Sequence, residues 1–293
     1  MAAPTLLDHQ FQYGDSGVLL NSTVTTSAFF DVNKVTGLDH APFRVTEKSF
    51  EGMAGGYLDA EFSDMRTVII EGTVYAPSGN ADLLEAFLDD LKENYRPNQP
   101  ATPLYFRAGT VTTPRILFCK SLGIKYDWDQ ARRWGSAAVQ IQLKAEDPAI
   151  YGLTENSSVM SPATPTIVGR GYNKAYNHGY GGPMLAGAYI LNNQGNKATP
   201  WTVTFTNVTN PLILNDTTGE QVQIMASAAG ATQIVVDMRA RTVTKTGGIS
   251  LRNAMTAASD WFYLEPGANN IRFRNFGVEV SPQATYAYRD AYE

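Results

Sequence analysis

The chain has 293 residues, 43% hydrophobic and only 17% charged, with a formal net charge of −5. The length allows two domains with real cores, and the acidic balance excludes a general nucleic-acid binder, which needs a basic footprint. The single cysteine, Cys119 in RILFCKSL, excludes an intrachain disulfide or a cysteine metal cluster and reads as a small buried hydrophobe.

Residues 1–63 read as short strands separated by turns. MAAPTLLDHQFQYGD lacks the basic start and apolar core of a signal peptide, so the chain is expected in a reducing, soluble environment. Sequons at Asn21, Asn156, Asn207 and Asn215 are then chance matches. Gly14, Asp15 and Gly17 mark a turn before VLLNSTVTTSAFFDV, which is rich in Val, Thr and Phe. A strand is expected around Phe43–Val45, followed by a mobile loop carrying Gly52, Gly55 and Gly56.

The segment from Asp64 to Pro97 is the most sharply punctuated. Val68, Ile69, Ile70, Val74 and Tyr75 give the density of a buried strand, which Pro77, Ser78 and Gly79 break. Asn80 is placed to cap a helix over residues 81–95, with Asp82 in its first turn. Leu83, Leu84, Phe87, Leu88 and Leu91 form one apolar stripe, and Pro97 ends the helix. The acids at its start would repel an anion, so a ligand site at its N-terminus is not expected and the helix reads as a brace for the first sandwich.

LYFRAGTVTTPRILFCKSLGIKYDWDQ reads as two or three strands. Residues 137–145 then alternate, Val139, Ile141, Leu143 and Ala145 facing one way and Ala138, Gln140, Gln142 and Lys144 the other. Residues 153–185, rich in Ser, Pro, Gly, Tyr and Asn, read as a linker or arm between a first domain, 1–152, and a second, 186–293. In the second domain short strands alternate with turns at Asp216–Gly219, Gly247–Gly248 and Pro282, the pattern of a β-sandwich. The fold class is mainly β, two sandwiches, the first with one flanking helix.

No catalytic pattern emerges. His9, His40 and His178 are scattered, so neither a metal site nor a histidine triad is expected. GRGYNKAYNHGYGG lacks both phosphate-loop contexts and reads as a flexible arm, and Lys245-Thr246-Gly247 stands without its companion motifs. Asp127 and Asp129 flank Trp128, which suits a glycosidase cleft but reads as loop charges around a core aromatic. Trp201, Trp261 and Tyr263 read as core before they read as a sugar platform. The expectation is a protein without enzymatic activity, cofactor or metal, and no apolar run approaches the roughly 18 residues of a membrane span.

In order along the chain these features resemble the distal tail protein of long, non-contractile-tailed phages. Gly55–Gly56, Arg66 leading TVIIEGTVYA with Gly72 in mid-strand, and the leucine helix are similar to the family's first domain. TPWTVTFTNVTNPLILNDTTGEQV, VVDMRARTVTKTGG, WFYLEPGANNIRF and YRDAYE are similar to its second. The arm at 153–185 has no counterpart in the resemblance. The resemblance implies a tail-tube-like sandwich that closes a hexameric ring and a galectin-like sandwich outside it. Such a ring sits in the virion at the distal end of the tail and joins the tail tube protein to the tip hub protein. It passes the tape measure protein and DNA without binding DNA specifically. Protein of this kind is made in the host bacterial cytoplasm. Low charge and long apolar strands fit such subunit contacts. Carried onto this chain, Gln140, Gln142 and Lys144 become candidates for lining the lumen. The competing expectation is a tail protein that grips host cell-wall glycans, with Trp201 and Trp261 as candidate contacts.

Overall fold

The structure is a computed structural model that describes residues 4–22, 27–109, 113–162 and 188–293. It divides into two compact units, one of residues 1–153 with 292–293 and the other of residues 154–291.

The first unit contains β1 (Phe11–Tyr13), β2 (Leu19–Leu20), β3 (Phe29–Thr36), β4 (Phe43–Ser49), β5 (Gly56–Ser63), β6 (Arg66–Tyr75), α1 (Ala81–Asn94), β7 (Thr102–Phe106), β8 (Arg115–Tyr126) and β9 (Ser136–Ala145). It also holds the start of β10 (Ile150–Met160). Strands β3, β6, β9 and the second half of β8 make one antiparallel sheet. The first half of β8 pairs instead with β7, which continues to β1 and β2. β8 thus serves both sheets, and its register shifts between Ser121 and Gly123.

Alternation explains which face is buried. In β6, Arg66, Val68, Ile70, Gly72 and Val74 turn inward. In β9, Ala137, Val139, Ile141, Leu143 and Ala145 do the same. They share one core with Leu84, Leu88, Leu91 and Tyr95 of the helix segment. The Asn80 side chain accepts from the N–H groups of Asp82 and Leu83 at 3.0 and 3.2 Å, the cap expected from sequence.

The helix face corrects the sequence expectation. At about 100° per residue, positions 84, 88, 91 and 95 share a narrow arc while 83 falls well outside it. Leu83 is accordingly 42% exposed, and Phe87 only borders the core. We expect Leu88→Ala to cost about 2–5 kcal/mol and Leu83→Ala less than about 0.5 kcal/mol, read as shifts in the urea unfolding midpoint.

A larger correction concerns residues 43–63. The strand expected around Phe43–Val45 is the start of β4, but in place of the mobile loop the chain turns back as β5, making a two-stranded antiparallel ribbon that joins neither larger sheet. Its tip closes through Phe50 N–H donating to Gly55 O at 3.1 Å, with the Phe50 and Tyr57 rings 5.9 Å apart. Because every residue of β4 is exposed, the strand lacks the apolar alternation that marks a half-buried one.

The second unit continues with β11 (Ala188–Asn193), β12 (Trp201–Thr209), β13 (Leu212–Asn215), β14 (Gln221–Gln223), β15 (Ser227–Asp237), β16 (Thr242–Lys245), β17 (Ile249–Ser250), β18 (Gly267–Arg274) and β19 (Gln283–Tyr292). One sheet orders β17-β16-β15-β12-β19, the other β11-β18-β13-β14. Trp201, Val203 and Phe205 of β12 and Ile234 and Val236 of β15 share a core with Ile213, Ile271 and Phe273 of the other sheet. The Phe205 and Phe273 rings lie 5.6 Å apart. The turn of LEPGANN is closed by buried Asn269, whose Nδ2 donates to Glu265 O at 2.8 Å and whose Oδ1 accepts from Glu265 N–H at 3.0 Å.

β10 occupies 150–160, so the first part of the segment read as a linker is a polar strand. Most of the expected glycine-tyrosine arm, with His178, lies outside the described residues.

Candidate functional site

The first unit offers one continuous polar surface, the face of the β3–β6–β9–β8 sheet opposite α1. The cross-strand register aligns Lys34, Glu71, Gln140 and Lys125 in one row. A second row holds Thr36, Ile69, Gln142 and Gly123, and a third Thr67, Lys144 and Lys120. Strict alternation puts these side chains outward, since their neighbours in β6 and β9 fill the core.

Hydrogen bonds tie the rows together. Gln140 Nε2 donates to Glu71 Oε1 at 2.9 Å, and Gln142 Nε2 donates to Gln140 Oε1 at 3.0 Å. Lys120 Nζ donates to Glu146 Oε1 at 2.6 Å. Lys34, Lys120, Lys125 and Lys144 therefore share this face with Asp31, Glu71 and Glu146, a nearly balanced set among amides, hydroxyls and the half-buried Ile69. The structure thus gathers Gln140, Gln142 and Lys144 on one half-buried polar face.

The tryptophans fall elsewhere. Trp201 is 1% exposed, its Nε1 donates to Phe262 O at 3.2 Å, and its ring lies 5.4 Å from that of Phe262. It is a core residue with no surface to offer a sugar. Trp261 is half-buried against the same core, with the Arg252 guanidinium 5.7 Å from its ring centroid. We expect Trp201→Ala to cost the second unit about 3–5 kcal/mol, measured by denaturant unfolding of the full chain. A Trp201→Ala protein with wild-type stability and lost glycan binding would instead assign the residue to a site.

Trp128, read from sequence as a core aromatic, is 80% exposed, and so is Trp134. Two aspartates beside a tryptophan gave no signal that the ring stands in solvent.

Chemistry-bearing groups are dispersed. Among the described residues, no three His, Cys, Asp or Glu side chains come close enough to hold a metal ion. Burial pushes the Cys119 thiol up to about 12, so at neutral pH it is an un-ionised, poorly nucleophilic group. An open crevice of about 600 Å³ between β1 and the end of α1, lined by Tyr13, Ser16, Asp90, Glu93, Arg96 and Thr102 among others, contains no histidine. No helix among the described residues is long and apolar enough to cross a membrane.

Comparison with known proteins follows the same lines. Residues 194–292 match the family model described as siphovirus-type tail component, C-terminal domain. The SPP1 Dit (gp 19.1) protein, whose crystal structure is described as a paradigm of the hub adsorption apparatus in phages infecting Gram-positive hosts, aligns at TM-score 0.64 and 14% identity. That alignment covers 97% of this chain and 99% of the other. A chain from the phage P2 baseplate in its activated, Ca-containing conformation aligns at TM-score 0.50 and 11% identity, over 97% and 98% of the two chains. No curated protein matches the sequence. At such identities the structural likeness carries the fold alone, so the chain is Dit-like in fold over nearly its whole length, and its residues 194–292 match the siphovirus-type tail component C-terminal domain.

Proposed function

We propose that this chain is a structural phage-tail protein that closes a hexameric ring at the distal end of the tail and links the tail tube to the tip hub. The observation that carries the reading is the β4–β5 ribbon. An isolated two-stranded hairpin is marginal in water, yet this one leaves Phe43, Tyr57, Leu58 and Phe62 each about half exposed or more. Such a ribbon needs a neighbouring protein to cover it. A ribbon covered by a different patch of the next copy makes a heterologous contact, which forms a ring when the rotation between copies closes.

In this reading the polar face of β3–β6–β9–β8 lines the channel. Four lysines set against three carboxylates leave little net charge to neutralise phosphates. Phosphate neutralisation with counterion release is what makes nucleic-acid binding tight. DNA and a tape-measure protein would therefore pass without being held. The function resides in contacts and in a channel wall, with no catalytic step. Light scattering after size-exclusion tests the assembly: a hexamer mass is expected, and a monomer at every concentration and salt condition would overturn the reading.

A further inference from the structure

The sheet of the first unit has two unlike ends. β6 runs from Arg66 to Tyr75, and β9 begins with Ser136 beside Tyr75. The segment joining β8 to β9, residues 127–135, therefore lies at the Tyr75 end, while the ribbon emerges between β3 and β6 at the Arg66 end. Ten residues of strand separate the two ends by about 30 Å.

At the Tyr75 end stand Trp128 and Trp134, each 80% exposed. The Arg132 guanidinium lies 3.6 Å from the Trp128 ring centroid and is itself only 7% exposed. Its Nε donates to Glu85 Oε1 of α1 at 3.1 Å, and its Nη2 donates to the same oxygen. Asp129 Oδ1 accepts from Ala131 N–H at 3.1 Å. Gly135, at φ 73°, passes so close to Gly79 that an added Cβ would lie 2.7 Å from its Cα. Floppy loop aromatics need no arginine packed beneath them. This loop displays Trp128 on a buried arginine and Trp134 on closely packed backbone, the pre-organised form of an interface anchor.

We infer that the Trp128–Trp134 corner is the docking surface for the β4–β5 ribbon of a second copy of this chain, an inference that rests on the ring reading. The two patches are unlike and sit at opposite ends of one sheet, so copies arranged head to tail around the ring cover both. Area points the same way. Two mostly exposed tryptophans offer about 300–400 Å², about half of the roughly 800 Å² per partner of a stable interface. The ribbon, with Phe43, Tyr57, Leu58 and Phe62 uncovered on a two-stranded frame, supplies a ligand that can reach beyond the two rings.

The test mixes two full-length variants, Ser49→Cys at the ribbon tip and Arg133→Cys beside Trp134, under mild oxidation. The remaining thiol, Cys119, is buried and stays silent. A disulfide-linked dimer that forms in the mixture and not from either variant alone is expected. Trp128→Ser/Trp134→Ser should raise the concentration needed for assembly at least about tenfold, with the unfolding midpoint of the unassembled chain shifted only slightly by loss of the Arg132–Trp128 contact. A wild-type hexamer that gives no mixed cross-link, or a double variant that assembles like wild type, overturns the inference and leaves the ring reading standing. A wild-type protein that is always monomeric overturns both.

Discussion

Gly72→Ala is expected to destabilise the first unit by about 3 kcal/mol, the upper end of the usual cost of overpacking a core. Gly72 is the one inward position of β6 without a side chain, and the fully buried Phe30 ring occupies the space. A Cβ built there lies 2.4 Å from Phe30 Cε1 and 2.2 Å from Asp31 O. The ring has no empty volume to retreat into, and Asp31 O belongs to the paired backbone of β3. Relief therefore requires lifting β3 from β6 beside its existing register shift at Val32 and Lys34. Cys119 provides the measurement, because it is buried in the first unit and reacts with a thiol reagent only when that unit opens. Its labelling midpoint in urea should fall while the fluorescence of buried Trp201 in the second unit keeps its wild-type transition. An unchanged Cys119 midpoint would show that β3 is held loosely.

Arg66→Ala is expected to cost about 3–5 kcal/mol, the range for truncating a large, fully buried side chain and leaving its backbone acceptors unpaired. Arg66 is fully buried at the start of β6. Its Nη1 donates to Asp39 O at 2.7 Å and to Gly37 O at 3.3 Å, fixing the chain that leads into the ribbon. Burial pulls its pKa down, and the charges of Asp39, Glu293 and Asp147 oppose that pull. Alanine would strand two carbonyls, open a cavity and leave three carboxylates without the cation. Nε and Nη2 have no hydrogen-bond partner among the described residues, so the charge carries part of its desolvation cost uncompensated. Arg66→Met, which restores volume without charge, should therefore recover more than half of the loss. The same Cys119 labelling reads both variants, and faster proteolysis between residues 37 and 42 should accompany the alanine variant alone.

What the sequence discloses depends on whether one face of an element is wet and the other dry. β9 and β6 alternate strictly because each has one buried face, so Gln140, Gln142 and Lys144 were legible as neighbours on the opposite one. The Asn80 cap and the turns of the second unit were legible because their chemistry is local. The ribbon was not, since a hairpin exposed on both faces shows no alternation and its glycines imitate a loop. Leu83 misled for a related reason: a leucine one position off the buried arc extends the stripe in sequence without touching the core. Tryptophan burial is decided by long-range packing, so the core reading that suits Trp201 fails at exposed Trp128. Trp134 was missed altogether, and only the arginine-rich DQARRW around it carried a hint.

The central claim is a closed ring whose channel wall is the polar face of β3–β6–β9–β8. A cryo-EM reconstruction of the purified assembly at side-chain resolution tests it most directly. The account predicts a single six-membered ring with Gln140, Gln142 and Lys144 directed into the channel. A ring that buries those side chains between protomers or turns them to its outer wall would contradict it.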